Sequence, residues 1–181
     1  MLGHEYLKLQ NTHAAIDSYR HAVDLNNKDY RAFVGLGQAY EVLETPTFSL
    51  YYYRRAVALR PGDMDLWQMI ATCLTGMSRI PQAIDALKKA IVCTPYHTGN
   101  HSGDDLDTIC RRIELLFQLA NIYEESQNRQ EAIRYLEICL EESIAVQRNV
   151  DIIDETPKRI ITSILPRARL LLAQWATADS D

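Results

Sequence analysis

The residues of this 181-residue chain whose types could do chemistry fall into a few groups. His97 and His101 stand near Asp104, Asp105 and Cys110 in a stretch rich in Gly and Ser, a set of nitrogen, oxygen and sulfur donors of the kind that holds zinc. A tight site needs ligands fixed by an outer layer of partners, which a glycine-rich turn segment does not supply, so the stretch reads as a loop and no metal is expected. The cysteines Cys73, Cys93, Cys110 and Cys139 include no C-x-x-C pair and suggest neither a disulfide framework nor a zinc ribbon. They read as reduced thiols. Tyr51-Tyr52-Tyr53-Arg54-Arg55 mixes rings and cations as a nucleic-acid surface does, but Tyr53 is a packing residue by register and successive helical residues point to different faces, so the run cannot present one continuous stacking platform. Glu124-Glu125 and Glu141-Glu142 are paired carboxylates best accounted for by solvated helix faces. No phosphate-cradling glycine loop, nucleophile elbow or H-E-x-x-H occurs. No catalytic residue, metal or cofactor is therefore assigned, and the chain is expected not to be an enzyme.

The elements that would position these groups are helical. Hydrophobic residues make up 47% of the chain and charged ones 24%, which disfavours disorder, while seven Gly and six Pro are too few for a protein that turns every ten residues or so. The net charge of −5 offers no broad footprint for nucleic acid and no basic membrane-surface helix. No apolar run is long enough to cross a bilayer, and the N-terminus has no signal-like apolar segment. The expected compartment is the cytoplasm or the nucleus.

The chain repeats itself. Phe33, Leu36, Gly37 and Tyr40 fit the tetratricopeptide pattern W-x2-L-G-x2-Y with Phe for Trp; Leu2, Gly3 and Tyr6 hold the same slots 34 residues earlier, and Trp67, Ile70, Ala71 and Leu74 hold them 34 later. The second halves agree, as Ala15, Tyr19 and Ala22, then Ser49, Tyr53, Ala56 and Pro61, then Ala83, Leu87, Ala90 and Pro95. A fourth copy runs through Leu116, Leu119, Ala120, Tyr123, Ala132, Leu136 and Cys139, with Ala120 49 residues after Ala71, one period of 34 plus 15. Small residues sit where antiparallel helices approach and large ones fill the gaps beside them. First helices are expected at Glu5–Leu9, Tyr30–Leu43, Leu66–Met77 and Ile113–Glu125. Second helices are expected at Ala14–Leu25, Phe48–Leu59, Pro81–Cys93 and Gln130 to about Asn149.

The repeats predict an all-α, right-handed α-solenoid: a truncated repeat at 1–29, repeats at 30–63 and 64–97, an insertion loop and helix start at 98–112, a repeat with a lengthened second helix at 113–150, and a terminal helix, the first half of a further repeat, at 151–181. The segment 96–105 should be the most mobile, with the next helix starting near Leu106. Thr156-Pro157 offers a cap and first position for a helix over 158–178, bent near Pro166. Both ends read as cut from a longer array.

Such arrays bind partners along the face that their first helices line. Register places His4 and Leu7, then Arg31, Val34, Gln38 and Glu41, then Asp65, Gln68, Thr72 and Thr75, then Glu114, Phe117, Asn121 and Glu124 on that face. The peptide- or partner-binding set is His4, Arg31, Gln38, Glu41, Gln68, Thr72, Asn121 and Glu124. Acceptors dominate it, and Glu41 beside Gln38 suits a basic side chain.

Gly3-His4-Glu5-Tyr6, Ser18-Tyr19-Arg20-His21-Ala22, Lys28-Asp29-Tyr30-Arg31-Ala32, Gly35-Leu36-Gly37-Gln38, Tyr40-Glu41-Val42-Leu43, Leu50 to Ala56 and Leu59-Arg60-Pro61 resemble the tetratricopeptide scaffold subunits of the anaphase-promoting complex, the cyclosome. The likeness is close over residues 2–61 and looser beyond, where Leu172-Ala173-Gln174 resembles a further first helix and segment 96–112 departs from the animal pattern. The resemblance implies a non-catalytic scaffold of a cell-cycle ubiquitin ligase, in nucleus and cytoplasm. It implies contacts with other subunits and with short basic coactivator motifs, and a homodimer formed through repeats outside this region; neither nucleic acid nor membrane is among its partners. The alternative is a generic adaptor or a co-chaperone that grips a peptide tail, for which this face has the wrong charge.

Overall fold

A computed structural model describes residues 11–94, 103–148 and 164–173, with side chains described for 11–94, 107–146 and 164–173. The elements are α1 (Thr12–Leu25), α2 (Tyr30–Val42), α3 (Pro46–Leu59), α4 (Met64–Gly76), α5 (Ile80–Cys93), α6 (Gly103–Glu125), α7 (Arg129–Arg148) and α8 (residues 164–173). Among the described residues there is no strand. The chain divides into two compact units, Met1–Cys93 and Thr94–Asp181.

In the first unit the helix starts are written in the sequence. The side chains of Asn11, Asp29 and Asp63 accept from the backbone N–H groups of Ala14, Arg31, and Asp65 and Leu66, satisfying donors that a helix N-terminus leaves open. Pro46 opens α3, where its missing N–H costs nothing, and Pro61 stands two residues after α3 ends. The first helices end alike. Glu44 (φ 54°) comes after α2 with its N–H on the Glu41 carbonyl (2.8 Å) and the Thr45 N–H on that of Tyr40 (3.0 Å). Ser78 (φ 57°) does the same after α4, with N–H bonds from Ser78 to Thr75 and from Arg79 to Leu74. This double bond through a left-handed residue is the Schellman closure.

The core of this unit is a set of rings laid against glycine. Tyr19 and Tyr53 are buried, and their ring carbons lie where a Cβ on Gly35 or Gly37 would stand, at 2.3 Å. Leu36, Ala39, Ala56, Ile70, Ala71, Leu74, Ala83 and Leu87 complete a close-packed interior.

In the second unit α6 begins at Gly103, three residues before the expected Leu106. Gly103 and the acidic pair after it suit a helix N-terminus as well as they suit a loop, because acidic groups are favoured in a first turn. Gln127 (φ 60°) closes α6 with the same bonds, from its N–H to Glu124 and from the Asn128 N–H to Tyr123, both 2.9 Å. Inside, Arg112 Nε bridges the Glu142 carboxylate at 2.9 and 3.2 Å and Nη1 donates to Thr94 Oγ1 at 3.0 Å. The Ser143 hydroxyl donates to the Cys139 carbonyl at 2.6 Å, and the Cys139 thiol to that of Ile113 at 3.7 Å. α7 runs on to Arg148, since no proline stops it where Pro61 stops α3. Ile164, Leu165 and Ala168 of α8 are buried. The expected helix at 5–9, the mobile segment up to residue 102 and the cap at Thr156-Pro157 lie outside the described residues.

Candidate functional site

The face of α2 that does not enter the core carries Gln38, half-buried, and Glu41, exposed, one turn apart. α4 delivers a buried thiol to the same place: Cys73 Sγ donates to Glu41 Oε1 at 3.5 Å. Burial first, and then the Glu41 carboxylate, push that thiol up to about 12, so it stays a neutral S–H donor. Beneath them the Tyr53 hydroxyl is buried without a partner in hydrogen-bond geometry, yet close enough to Glu41 to respond to its charge; burial first, then that carboxylate, hold the phenol far above its usual range. Glu41 is thus an exposed carboxylate steadied from below by the Cys73 thiol and pointed at solvent, an acceptor suited to a cation. The other buried thiols are also raised by burial, Cys110 to about 11 and Cys139 to about 12, and a neutral thiol is a poor nucleophile.

The remaining expected residues divide. Arg31 is exposed but turned back on its own helix start, with Nε on Asp29 Oδ1 at 3.2 Å. Gln68 is half-buried and Thr72 exposed on α4, and the Thr72 hydroxyl is engaged with the Gln68 backbone carbonyl at 3.1 Å, so it offers a ligand little as a donor. Thr75 likewise bonds back to Ala71 at 3.0 Å. On α6 of the second unit Asn121 is half-buried and Glu124 exposed, again one turn apart. His4 and Leu7 lie outside the described residues.

One expectation is corrected. Phe117, read from register as facing a partner, is 7% exposed, and the Arg167 guanidinium of α8 stands 5.5 Å from its ring centre. At Phe117, α6 is therefore buried and met by α8 of the same chain. Glu114, one turn earlier, is half-buried, and its carboxyl is raised by burial, against a lowering from Arg111 and a further raising from Asp107.

Sequence reasoning also missed a cluster of rings. Tyr51 and Tyr52 form no platform by themselves, but Tyr40 of α2 stacks on both Phe48 (5.2 Å) and Tyr52 (5.4 Å), and Tyr51 meets Tyr52 edge-on at 5.1 Å. The signal was the i, i+3, i+4, i+7 spacing of Phe48, Tyr51, Tyr52 and Arg55, which puts all four on one side of α3.

Residues 1–29 and residues 115–149 each match the tetratricopeptide repeat. Over 61 residues, 34% of this chain, the sequence is 30% identical to protein bimA of Emericella nidulans, and the match spans 8% of that protein's length. The crystal structure of MamA superposes with a TM-score of 0.65 over 98% of each chain at 14% identity. MamA from residue 41 to its end, from Desulfovibrio magneticus RS-1, gives 0.63 over 82% of this chain and 73% of that one at 15% identity. At such identities the structural likeness is one of fold, and the fold is all-α tetratricopeptide repeats.

Proposed function

We propose that this chain, an all-α array of tetratricopeptide repeats, is a non-catalytic protein-interaction module acting as a scaffold in the anaphase-promoting complex, a counterpart of its subunit eight. The sequence likeness over residues 2–61 supports the complex, and the repeat fold supports the class of activity. The observation that carries the binding mode is Glu41: an exposed carboxylate on a first helix, steadied by Cys73 and flanked by Gln38. Its partners in this reading are neighbouring subunits and short Arg-bearing coactivator motifs, in nucleus and cytoplasm, with the full-length protein dimeric through repeats beyond this region. Asn121 and Glu124 offer a second acceptor pair on α6.

A co-chaperone reading fits less well. Gripping a terminal carboxylate needs free cations, and Arg31 is bound to Asp29.

A charge-assisted bond from Arg to a held carboxylate is worth more than an exposed rim pair, which contributes about 0–1 kcal/mol. Glu41→Arg is therefore expected to weaken binding of an Arg-containing coactivator peptide at least about tenfold, roughly 1.4 kcal/mol, with the helical far-UV spectrum intact. Glu41→Gln, which keeps the shape and an acceptor, should lose less. Unchanged affinity in Glu41→Arg, for a peptide that binds the native chain, removes the site from this face. Affinity purification of the full-length protein without cullin-type and RING-type ligase subunits would remove the complex itself.

A further inference from the structure

We infer that the aromatic side of α3 is a second docking surface, and that its occupant is an acidic segment of a partner protein, recognised through carboxylates. Phe48, Tyr51, Tyr52 and Arg55 share one side of α3, and Phe48 and Tyr51 remain 55% and 53% exposed. Exposed rings clustered this way are uncommon on a surface without a partner. The chemistry of the occupant is set by what the cluster offers. Tyr40 stacks on Phe48 and Tyr52 at interplanar angles of 26° and 7°, and Tyr51 meets Tyr52 edge-on at 81°, so the rings hold one another in place and present apolar area to a partner. The polar groups beside them are donors. Arg20 Nη2 donates to the Tyr40 hydroxyl oxygen at 2.8 Å and Arg55 Nη1 to that of Tyr51 at 3.4 Å, which leaves both phenolic protons free to donate.

Among the described residues no acceptor of matching charge is bound to either arginine. α3, Pro46–Leu59, contains no acidic residue. Asp17 and Asp24 flank Arg20 on α1, but among the described residues no carboxylate forms an ion pair with Arg20 or Arg55. A chain of net charge −5 thus gathers on one surface phenolic donors, exposed rings and two arginines that no carboxylate among the described residues neutralises. Nucleic acid fits worse, because Tyr40 and Tyr52 already stack within the cluster, and two arginines do not make the continuous cationic track that a nucleic-acid backbone needs. Carboxylates need donors, and an acidic segment with interspersed aliphatic residues satisfies both the cations and the exposed rings.

The residues changed here, Arg20, Tyr51 and Arg55, do not include Glu41, so this test stands apart from the preceding one. The probe is a dye-labelled peptide of about twelve residues, built of Glu and Asp with two Leu, monitored by fluorescence anisotropy; the controls are the same peptide with Gln and Asn for Glu and Asp, its phosphoserine version, and oligouridylate. The native chain should bind the acidic peptide, more weakly as salt rises. Arg20→Gln with Arg55→Gln should lower that affinity at least about tenfold, and Tyr51→Phe, which removes a hydroxyl alone, about three-fold or more. Because Arg55 also stands over the buried Phe33 ring at 5.1 Å, Arg20→Gln alone is measured beside the pair, with far-UV spectra for each. No binding by the native chain, equal binding of the Gln/Asn peptide, tighter binding of oligouridylate or of the phosphoserine peptide, or an undiminished affinity in folded Arg20→Gln each overturns the assignment.

Discussion

A Cβ at Gly37 would stand 2.3 Å from a ring carbon of Tyr53, a side chain with no exposed surface and no room to turn. Alanine is the better helix former by about 1 kcal/mol, yet overpacking a filled interior costs about 1–3 kcal/mol, so the clash should win. Gly37→Ala is expected to lower stability in denaturant titration, and Gly35→Ala against Tyr19 likewise. Gly76, also helical, has nothing within 4 Å of its Cβ position, and Gly76→Ala should instead gain up to about 1 kcal/mol. Opposite signs from the same substitution at two helical glycines would isolate packing as the cause; equal signs would refute it. The same contact explains a gap in what the sequence disclosed. The spacing of Gly37 and Tyr53 announced that they pack, but nothing in it announced that Glu41 and Cys73 meet above the Tyr53 hydroxyl, since that meeting joins residues 32 apart in neighbouring repeats.

At the scale of the element, helix starts carry side-chain signatures at Asp29, Pro46 and Asp63; the start at Tyr30 was read as it stands, while those expected at Phe48 and Leu66 lie two residues after the observed Pro46 and Met64. Helix ends fell within a residue of expectation, at Leu25, Val42, Leu59, Gly76, Cys93 and Glu125 against the expected Leu25, Leu43, Leu59, Met77, Cys93 and Glu125, but the way the first helices close was not legible. The left-handed closures use Glu44, Ser78 and Gln127, where glycine would have marked the turn, and each carries a conformational penalty of about 1–2 kcal/mol. Relief by glycine is partly offset by its greater freedom in the unfolded chain, about 0.4–1 kcal/mol. Ser78→Gly should therefore raise the melting temperature by a few degrees, and Ser78→Val, whose branched Cβ fits this region worst, should lower it. A melting order other than Gly above Ser above Val would mean that the closure does not limit stability. The early start of α6 was read to within three residues, Leu106 against Gly103, because the insertion shows as a break in the 34-residue period; the contact of Phe117 with α8 escaped, since it depends on residues outside the repeat unit.

At the scale of the whole molecule, each unit carries its own sealed thiols. Cys73 is 5% exposed in the unit Met1–Cys93, and Cys110 and Cys139 have no exposed surface in the unit Thr94–Asp181, while Cys93 is half-buried with its thiol on the Pro61 carbonyl at 3.5 Å. Repeat arrays are held by nearest-neighbour interfaces and can open piecewise. A maleimide added under native conditions reaches a sealed cysteine only while its surroundings are open, so the alkylation rate of each residue, read by mass spectrometry of its peptide, is a clock for that opening. Cys93 should be labelled first. If Cys73 and Cys139 then react with one common rate, the array breathes as a single body; two rates assign a separate opening free energy to each unit, with no mutation needed to install the reporters.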